Sequence, residues 1–146
     1  MSATNAFETA LLNLVFANAT AANIGDATGL RGSTAAGTFY ISLHTADPGE
    51  TGAQNTTEAN YTGYARVAVA RTAGGWTVTG NSATNAAAIN FPAATGGAST
   101  VTHFGIGTDS ASAGNLLFKG ALTASLSVSN GITPSFAIGA LSVTAD

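Results

Sequence analysis

At 146 residues with 45% hydrophobic side chains, the chain has the length of one domain and enough apolar matter to fill a core. Only 8% of its residues are charged, and four basic against seven acidic residues leave a net charge of −3; ordinary soluble domains carry about 25% charged residues. That balance excludes the clustered Lys and Arg of a nucleic-acid or anionic-membrane surface, and the lack of cysteine excludes disulfides, thiolate metal sites and a thiol nucleophile.

The first segment predicts a helix. Asn5 is placed to cap it, with Glu8 three residues on in a variant of the capping box. Phe7, Leu11, Leu14 and Val15 fall at i, i+4, i+7 and i+8 and make one apolar face, which Leu12 and Phe16 widen. A face that broad implies burial, either on the domain itself or against a neighbour. Ala10 to Phe16, followed by Ala17-Asn18-Ala19, has the outline of a signal-peptide core and cleavage site. No Lys or Arg precedes it, Glu8 stands in front and Asn13 interrupts it, so no signal peptide is expected. No run of about 20 apolar residues is present, so no membrane-spanning helix is expected either.

Asn23, Gly25 and Gly29 end the helical pattern, and residues 19–37, rich in Ala, Thr, Gly and Asn, read as a surface connection. The chain then turns to β-structure. Thr38 to His44 predicts a strand with Phe39, Ile41 and Leu43 on one face. Residues 46–61 form a long polar loop, and loops of that length in compact domains usually contact something. Further strands are expected over Tyr64–Thr72, Trp76–Thr79, Ala87–Phe91, Val101–Gly107, Leu116–Leu122, Ser125–Ser129 and Ala137–Thr144. Turns are expected at Gly74-Gly75, Gly80-Asn81, Gly114-Asn115 and Asn130-Gly131. With no internal repeat, the pattern implies a single mainly β domain over 1–146. The expected fold is an antiparallel β-sandwich of jelly-roll type over 38–146, led by one α-helix within residues 1–20.

Little here points to chemistry. The acids are Glu8, Asp26, Asp47, Glu50, Glu58, Asp109 and Asp146, most of them in predicted turns and ends. Asp47 and Glu50, three apart in one loop, could hold a weak cation, but a solvated turn is the expectation. His44 and His103 lie in or beside strands and lack a third ligand for a metal; a packed ring bonded to a loop carbonyl is the expectation. No nucleophile elbow supports a Ser-His-Asp triad. Gly105-Ile106-Gly107 lacks the third glycine and the following helix of a dinucleotide site, so it reads as a bulge or close backbone approach within a strand. Trp76, Tyr61 and Tyr64 could form a sugar-stacking surface, against which stands a lid-like core role for Trp76. No catalytic residue, metal or cofactor is expected.

Several stretches taken together resemble a known family. They are Leu43 to Gly52 (LHTADPGETG), Gly63 to Arg66 (GYAR), Ile89 to Ala93 (INFPA), Val101 to Ile106 (VTHFGI), Gly114 to Leu122 (GNLLFKGAL) and Pro134 to Val143 (PSFAIGALSV). Their order and spacing resemble small tailed-bacteriophage virion proteins, many labelled tail fibre protein and others similar to capsid decoration, or cement, proteins. The resemblance implies a non-enzymatic virion component. Its short, repeat-free length favours a decoration protein on the capsid surface, bound to the major capsid protein and to copies of itself as a homotrimer. No nucleic acid, membrane or small-molecule partner is implied. A tail fibre, tail-tip or baseplate part is the alternative, and a carbohydrate-binding host-attachment module a second one. The expected contact residues are Phe7, Leu11 and Leu14 on the helix and Asp47, Glu50, Glu58 and Tyr61 in the loop.

Overall fold

The structure, a computed structural model, describes residues 2–25 and 28–145. Helix α1 (Asn5–Phe16) is followed by strands β1 (Thr38–His44), β2 (Val67–Ala70), β3 (Trp76–Thr79), β4 (Ser82–Asn85) and β5 (Ile89–Asn90). Strands β6 (Ala98–Gly107), β7 (Leu116–Ser129), β8 (Ser135–Phe136) and β9 (Ser142–Thr144) complete the order. The chain is thus mainly β with one leading helix, and its paired strands run antiparallel wherever a register is defined. It divides into two compact units. Unit 1 comprises residues 1–38, 70–89 and 136–146, and unit 2 comprises 39–69 and 90–135.

In unit 1, β3, β4 and β9 form a three-stranded antiparallel sheet with β4 central. Helix α1 packs on β3 and β4. It buries Glu8, Leu12 and Phe16, a stripe at i, i+4 and i+8. The Phe16 and Trp76 rings meet at 4.7 Å and 60°, and Leu12, Ala83 and Leu141 are also buried in this unit. The expected Asn5 cap is corrected: Thr4 is the extended residue before the helix and its side chain makes no capping bond, while Asn5 is already helical. The C-terminal end is closed from far away in sequence. Arg71 donates from Nε to the Val15 carbonyl (2.7 Å) and from Nη2 to that of Leu14 (3.0 Å), placing a cation on carbonyls that have no helical partner.

Unit 2 holds the four-stranded sheet, in the order β2-β1-β6-β7, in which Thr38 and Ala70 are the strand ends belonging to unit 1. Its β1–β6 register pairs Ile41 with Ile106 and Leu43 with Phe104 on one face, and Ser42 with Gly105 and His44 with His103 on the other. The first face is apolar and buries Phe39, Ile41, Leu43, Phe104 and Ile106. Gly120 lies opposite Phe104, and a Cβ there would come within 2.7 Å of that ring, so the aromatic occupies the room that the glycine leaves.

Strands β2 and β5 are shorter than the expected Tyr64–Thr72 and Ala87–Phe91, β6 begins earlier than the expected Val101, and three further differences have a local reason. Residues 116–129 form one strand rather than two. The register on β6 advances from Val101 to His103 while β7 passes from Leu126 to Ala121, so the bulge falls where two strands were expected to part. Ser82–Asn85 is a strand although only Ala83 in it is apolar, because it is paired on both sides, by β3 and by β9. The expected strand over 137–144 shortens to β9, because Ala137–Ala140 forms a turn, while β8 lies just before it.

Candidate interaction surfaces

The second face of the unit 2 sheet is polar and covered by the loop after β1. Gly105 and Gly107 make it a shallow trough. A Cβ on Gly105 would lie 2.7 Å from both His44 Nε2 and Ser42 Oγ, and one on Gly107 would collide with the Gln54 side chain. This close approach accounts for the Gly-x-Gly in a strand, as the sequence suggested. Both His44 and Ser42 are fully buried. His44 Nδ1 lies 2.8 Å from the Thr56 carbonyl, which can only accept, so Nδ1 carries the proton. The neutral ring then accepts the Ser42 hydroxyl hydrogen at Nε2, also at 2.8 Å. Burial pulls the imidazole pKa below its usual 6.5, against the opposing pull of the Thr56 carbonyl and of Glu58.

Gln54, the only glutamine in the chain, holds the loop from inside. It is fully buried, donates from Nε2 to the Tyr40 carbonyl (2.9 Å) and accepts the Asp109 N–H at Oε1 (3.1 Å). Farther along, Glu58 accepts from Arg66 Nε (2.7 Å), Arg66 Nη2 (2.8 Å) and the Tyr64 hydroxyl (2.8 Å). The fork-on-carboxylate pairing raises the Arg66 pKa, chiefly through its hydrogen bond to Glu58. The same guanidinium donates to the carbonyls of Asp109 and Ser112, which ties down the turn between β6 and β7. Burial, then the neighbouring Glu58 charge, pushes the Tyr64 phenol well above its ordinary range.

The outer rim of the loop meets the edge strand. The Asp47 carboxylate accepts the Gly49 N–H (2.8 Å), which forms an Asx turn. Lys119, the only lysine, sits 3.1 Å from Asp47 Oδ1 and 3.0 Å from Glu50 Oε1. The acid pair weighed as a cation site therefore meets a cation of the chain itself. Asp47 titrates low because of the Gly49 N–H and then Lys119, while Lys119 titrates high because of Glu50 and then Asp47.

The residues expected to meet a partner separate into two groups. Tyr61 is 2% exposed, bonds the Pro92 carbonyl (3.1 Å) and stands edge-on to Tyr64, so it belongs to the packing of unit 2 and has no surface to offer. Glu58 is committed to Arg66 and Tyr64 in the same way. Asp47 and Glu50 remain on the surface. In unit 1, Phe7 and Leu11 are 45% and 40% exposed, one helical turn apart, while Leu14 is half-buried. The face that α1 turns inward is therefore Leu12 and Phe16, not Phe7 and Leu11. Trp76 is 1% exposed, so the sugar-stacking surface loses its main ring. Among the described residues no group of three or more His, Asp or Glu is placed to hold a metal, and no helix is long and apolar enough to cross a membrane. Asp26 and Asp146 lie outside the described residues.

Residues 2–144 match the family model described as podophage GP4 fiber I protein gp80. The chain belongs to that family. No curated protein matches it. A fibre-type phage family agrees with the tailed-phage virion resemblance carried by the motifs between Leu43 and Val143. Those motifs hold much of unit 2's frame: His44 from the first, Arg66 from the second, Phe104 and Gly105 from the third strand, and Lys119 and Gly120 from the edge. Gln54, Arg71 and Asn85 were not singled out in the sequence, because each works through main-chain groups that only the fold brings near.

Proposed function

We propose that this protein is a non-enzymatic structural part of a tailed-phage particle, held there by protein–protein contacts. The family match over residues 2–144 carries this reading. The chemistry of the interior supports it. Ser42 and His44, the one tight Ser–His pair among the described residues, are wholly buried, and the second ring nitrogen is bound to a backbone carbonyl rather than a carboxylate, so the pair orients a loop instead of activating a nucleophile. Three of the four basic side chains, Arg66, Arg71 and Lys119, bind carbonyls or carboxylates of the chain itself, which leaves little positive charge for nucleic acid.

Within the virion, the description of the family as a fibre protein supports a fibre position. The second reading is a capsid-surface decoration protein bound to the major capsid protein, with copies of itself as a trimer; the absence of any internal repeat in the sequence favours it. In either place the contact residues are Phe7 and Leu11 on α1, with Asp47 and Glu50 on the loop rim. Quantitative gel densitometry of purified virions separates the two positions: decoration demands hundreds of copies per particle and a fibre far fewer, in order-of-magnitude terms set by symmetry. Absence of the protein from purified virions would sink both.

A further inference from the structure

The turn after β7 carries the only Asn-Gly pair of the sequence, Asn130-Gly131. Asparagine is among the thermally labile residues. Its lability is greatest before glycine, where no Cβ hinders the next main-chain nitrogen from closing on the side-chain carboxamide. Both residues are exposed, so water reaches the pair. The Ile132 N–H donates to the Ser129 carbonyl (2.9 Å), and Gly131 takes φ +87° at the third position, as a type II turn requires. Any side chain at 131 would be strained there, so the turn itself demands the residue that leaves Asn130 unprotected.

In the folded chain, both groups that would react are held by one neighbouring segment. The Gly131 N–H donates to the Ala94 carbonyl at 2.7 Å, which keeps the nitrogen's proton engaged. The Asn130 carboxamide, with its nitrogen turned to the same segment, donates to the Ala94 and Thr95 carbonyls, each at 3.3 Å. The opposite amide orientation would set oxygen against oxygen. The Ala94 N–H donates in turn to the Ile132 carbonyl, and the Phe91 N–H to the Pro134 carbonyl, both at 2.9 Å. Attack by the Gly131 nitrogen therefore requires the turn to lift off Ala94 and Thr95.

We infer that Asn130-Gly131 is a self-modification site: when the turn lifts, the chain converts Asn130 to aspartate or isoaspartate, and the new carboxylate weakens reclosure. The Gly131 nitrogen gives its proton to solvent and bonds to Asn130 Cγ. The carboxamide C–N bond breaks, and its nitrogen takes up a proton and leaves as ammonia. The product is a cyclic imide, and water then adds to one of its two carbonyls. Opening at Cγ leaves aspartate in a normal main chain. Opening at the Asn130 main-chain carbonyl leaves isoaspartate, with the chain running through Cγ. Nothing is oxidised or reduced. Either product lacks the amide donor that the Ala94 and Thr95 carbonyls bind, and offers a carboxylate that only accepts. A transient opening of the turn is thereby made permanent.

The test holds the full-length protein in mildly alkaline buffer, with and without urea, and samples it over weeks. Trypsin cleavage after Lys119 releases residues 120–146, whose only side-chain amide is Asn130, so an amide-to-acid mass gain in that peptide belongs to it. The unfolded chain should convert, and the folded chain should convert at about a tenth of that rate or less, because the reaction waits on the opened fraction. No conversion in urea, or none in the folded chain over weeks, overturns the site. Equal rates in the two overturn the gating by Ala94 and Thr95. Asn130→Asp supplies the carboxylate without the reaction. Amide exchange at Gly131 and Ala94 should be about three- to tenfold faster in that variant, the worth of one net hydrogen bond. The acidic fraction of aged wild-type protein, separated by anion exchange, should show the same gain. Exchange at the unmodified rate in both overturns the weakened reclosure.

Discussion

The loop from Thr45 to Tyr61 is polar in sequence, yet Gln54, Ala59 and Tyr61 lie inside their unit; α1 is apolar around much of its circumference, yet leaves Phe7 and Leu11 in solvent. In the loop, burial follows complete hydrogen bonding. Gln54 satisfies a carbonyl and an amide, and Glu58 receives three donors. In the helix, burial follows available cover, and unit 1 covers only the Leu12–Phe16 stripe. Polarity alone therefore says little in this chain about which segment faces outward. What decides is whether the fold offers each polar atom a partner and each apolar side chain a neighbour.

The contrast can be broken most severely at the ion pair. Arg66 is 2% exposed at its side chain, so Glu58→Ala leaves a guanidinium buried without its carboxylate. Urea unfolding should register a loss of about 3–5 kcal/mol; a loss below about 1 kcal/mol would mean the loop is not fastened there. Replacing Gln54 with Leu keeps an inward side chain of similar size but orphans the Tyr40 carbonyl and the Asp109 amide. The expected cost is about 1–3 kcal/mol, with faster amide exchange at Asp109 as the specific sign.

A gentler effect comes from pH. The folded protein holds His44 neutral with its pKa below the unfolded 6.5, so the unfolded state binds more protons as pH falls. Stability should be fully present above about pH 6.5 and decline as pH drops through the region between the unfolded and folded values. His44→Gln should flatten that decline in urea unfolding series run from neutral to mildly acidic buffer; an unchanged slope would assign it to other groups. The smallest effect is predicted on the helix. Phe7→Ser and Leu11→Ser should change stability by no more than about 0.5 kcal/mol, since neither side chain is in the core. A larger loss would show that the exposed face is covered after all.

Much of this architecture is legible in the sequence. The strand over Thr38–His44, with Phe39, Ile41 and Leu43 inward, follows from alternation, and Trp76–Thr79 follows from β-propensity bounded by turns. The helix is legible too, but its buried face is not. Phe7/Leu11 and Leu12/Phe16 are equally good stripes, and only the sheet beneath selects one. Ser82–Asn85 escapes notice because its stability lies in two sets of ladder bonds rather than in its side chains. The contact residues fare similarly. Glu58 and Tyr61 sit in a polar loop like Asp47 and Glu50, and nothing in local composition reveals that Arg66, Tyr64 and Pro92 will claim the first pair.

Strand β7 carries a last consequence. It lies at the end of its sheet, runs for 14 residues and contains a single charged side chain. A straight edge of that kind is a template on which other chains nucleate amyloid-like aggregates, a hazard that grows with the concentration at which a particle component accumulates before assembly. The irregularities in its pairing with β6 cut that edge into regular stretches no longer than Phe118–Ala121 and Leu126–Ser129. Each stretch is too short to hold an incoming strand in register, and Lys119 places a charge in the middle of the first. Bulges of this kind thus reduce the tendency of an exposed edge to pair with other chains.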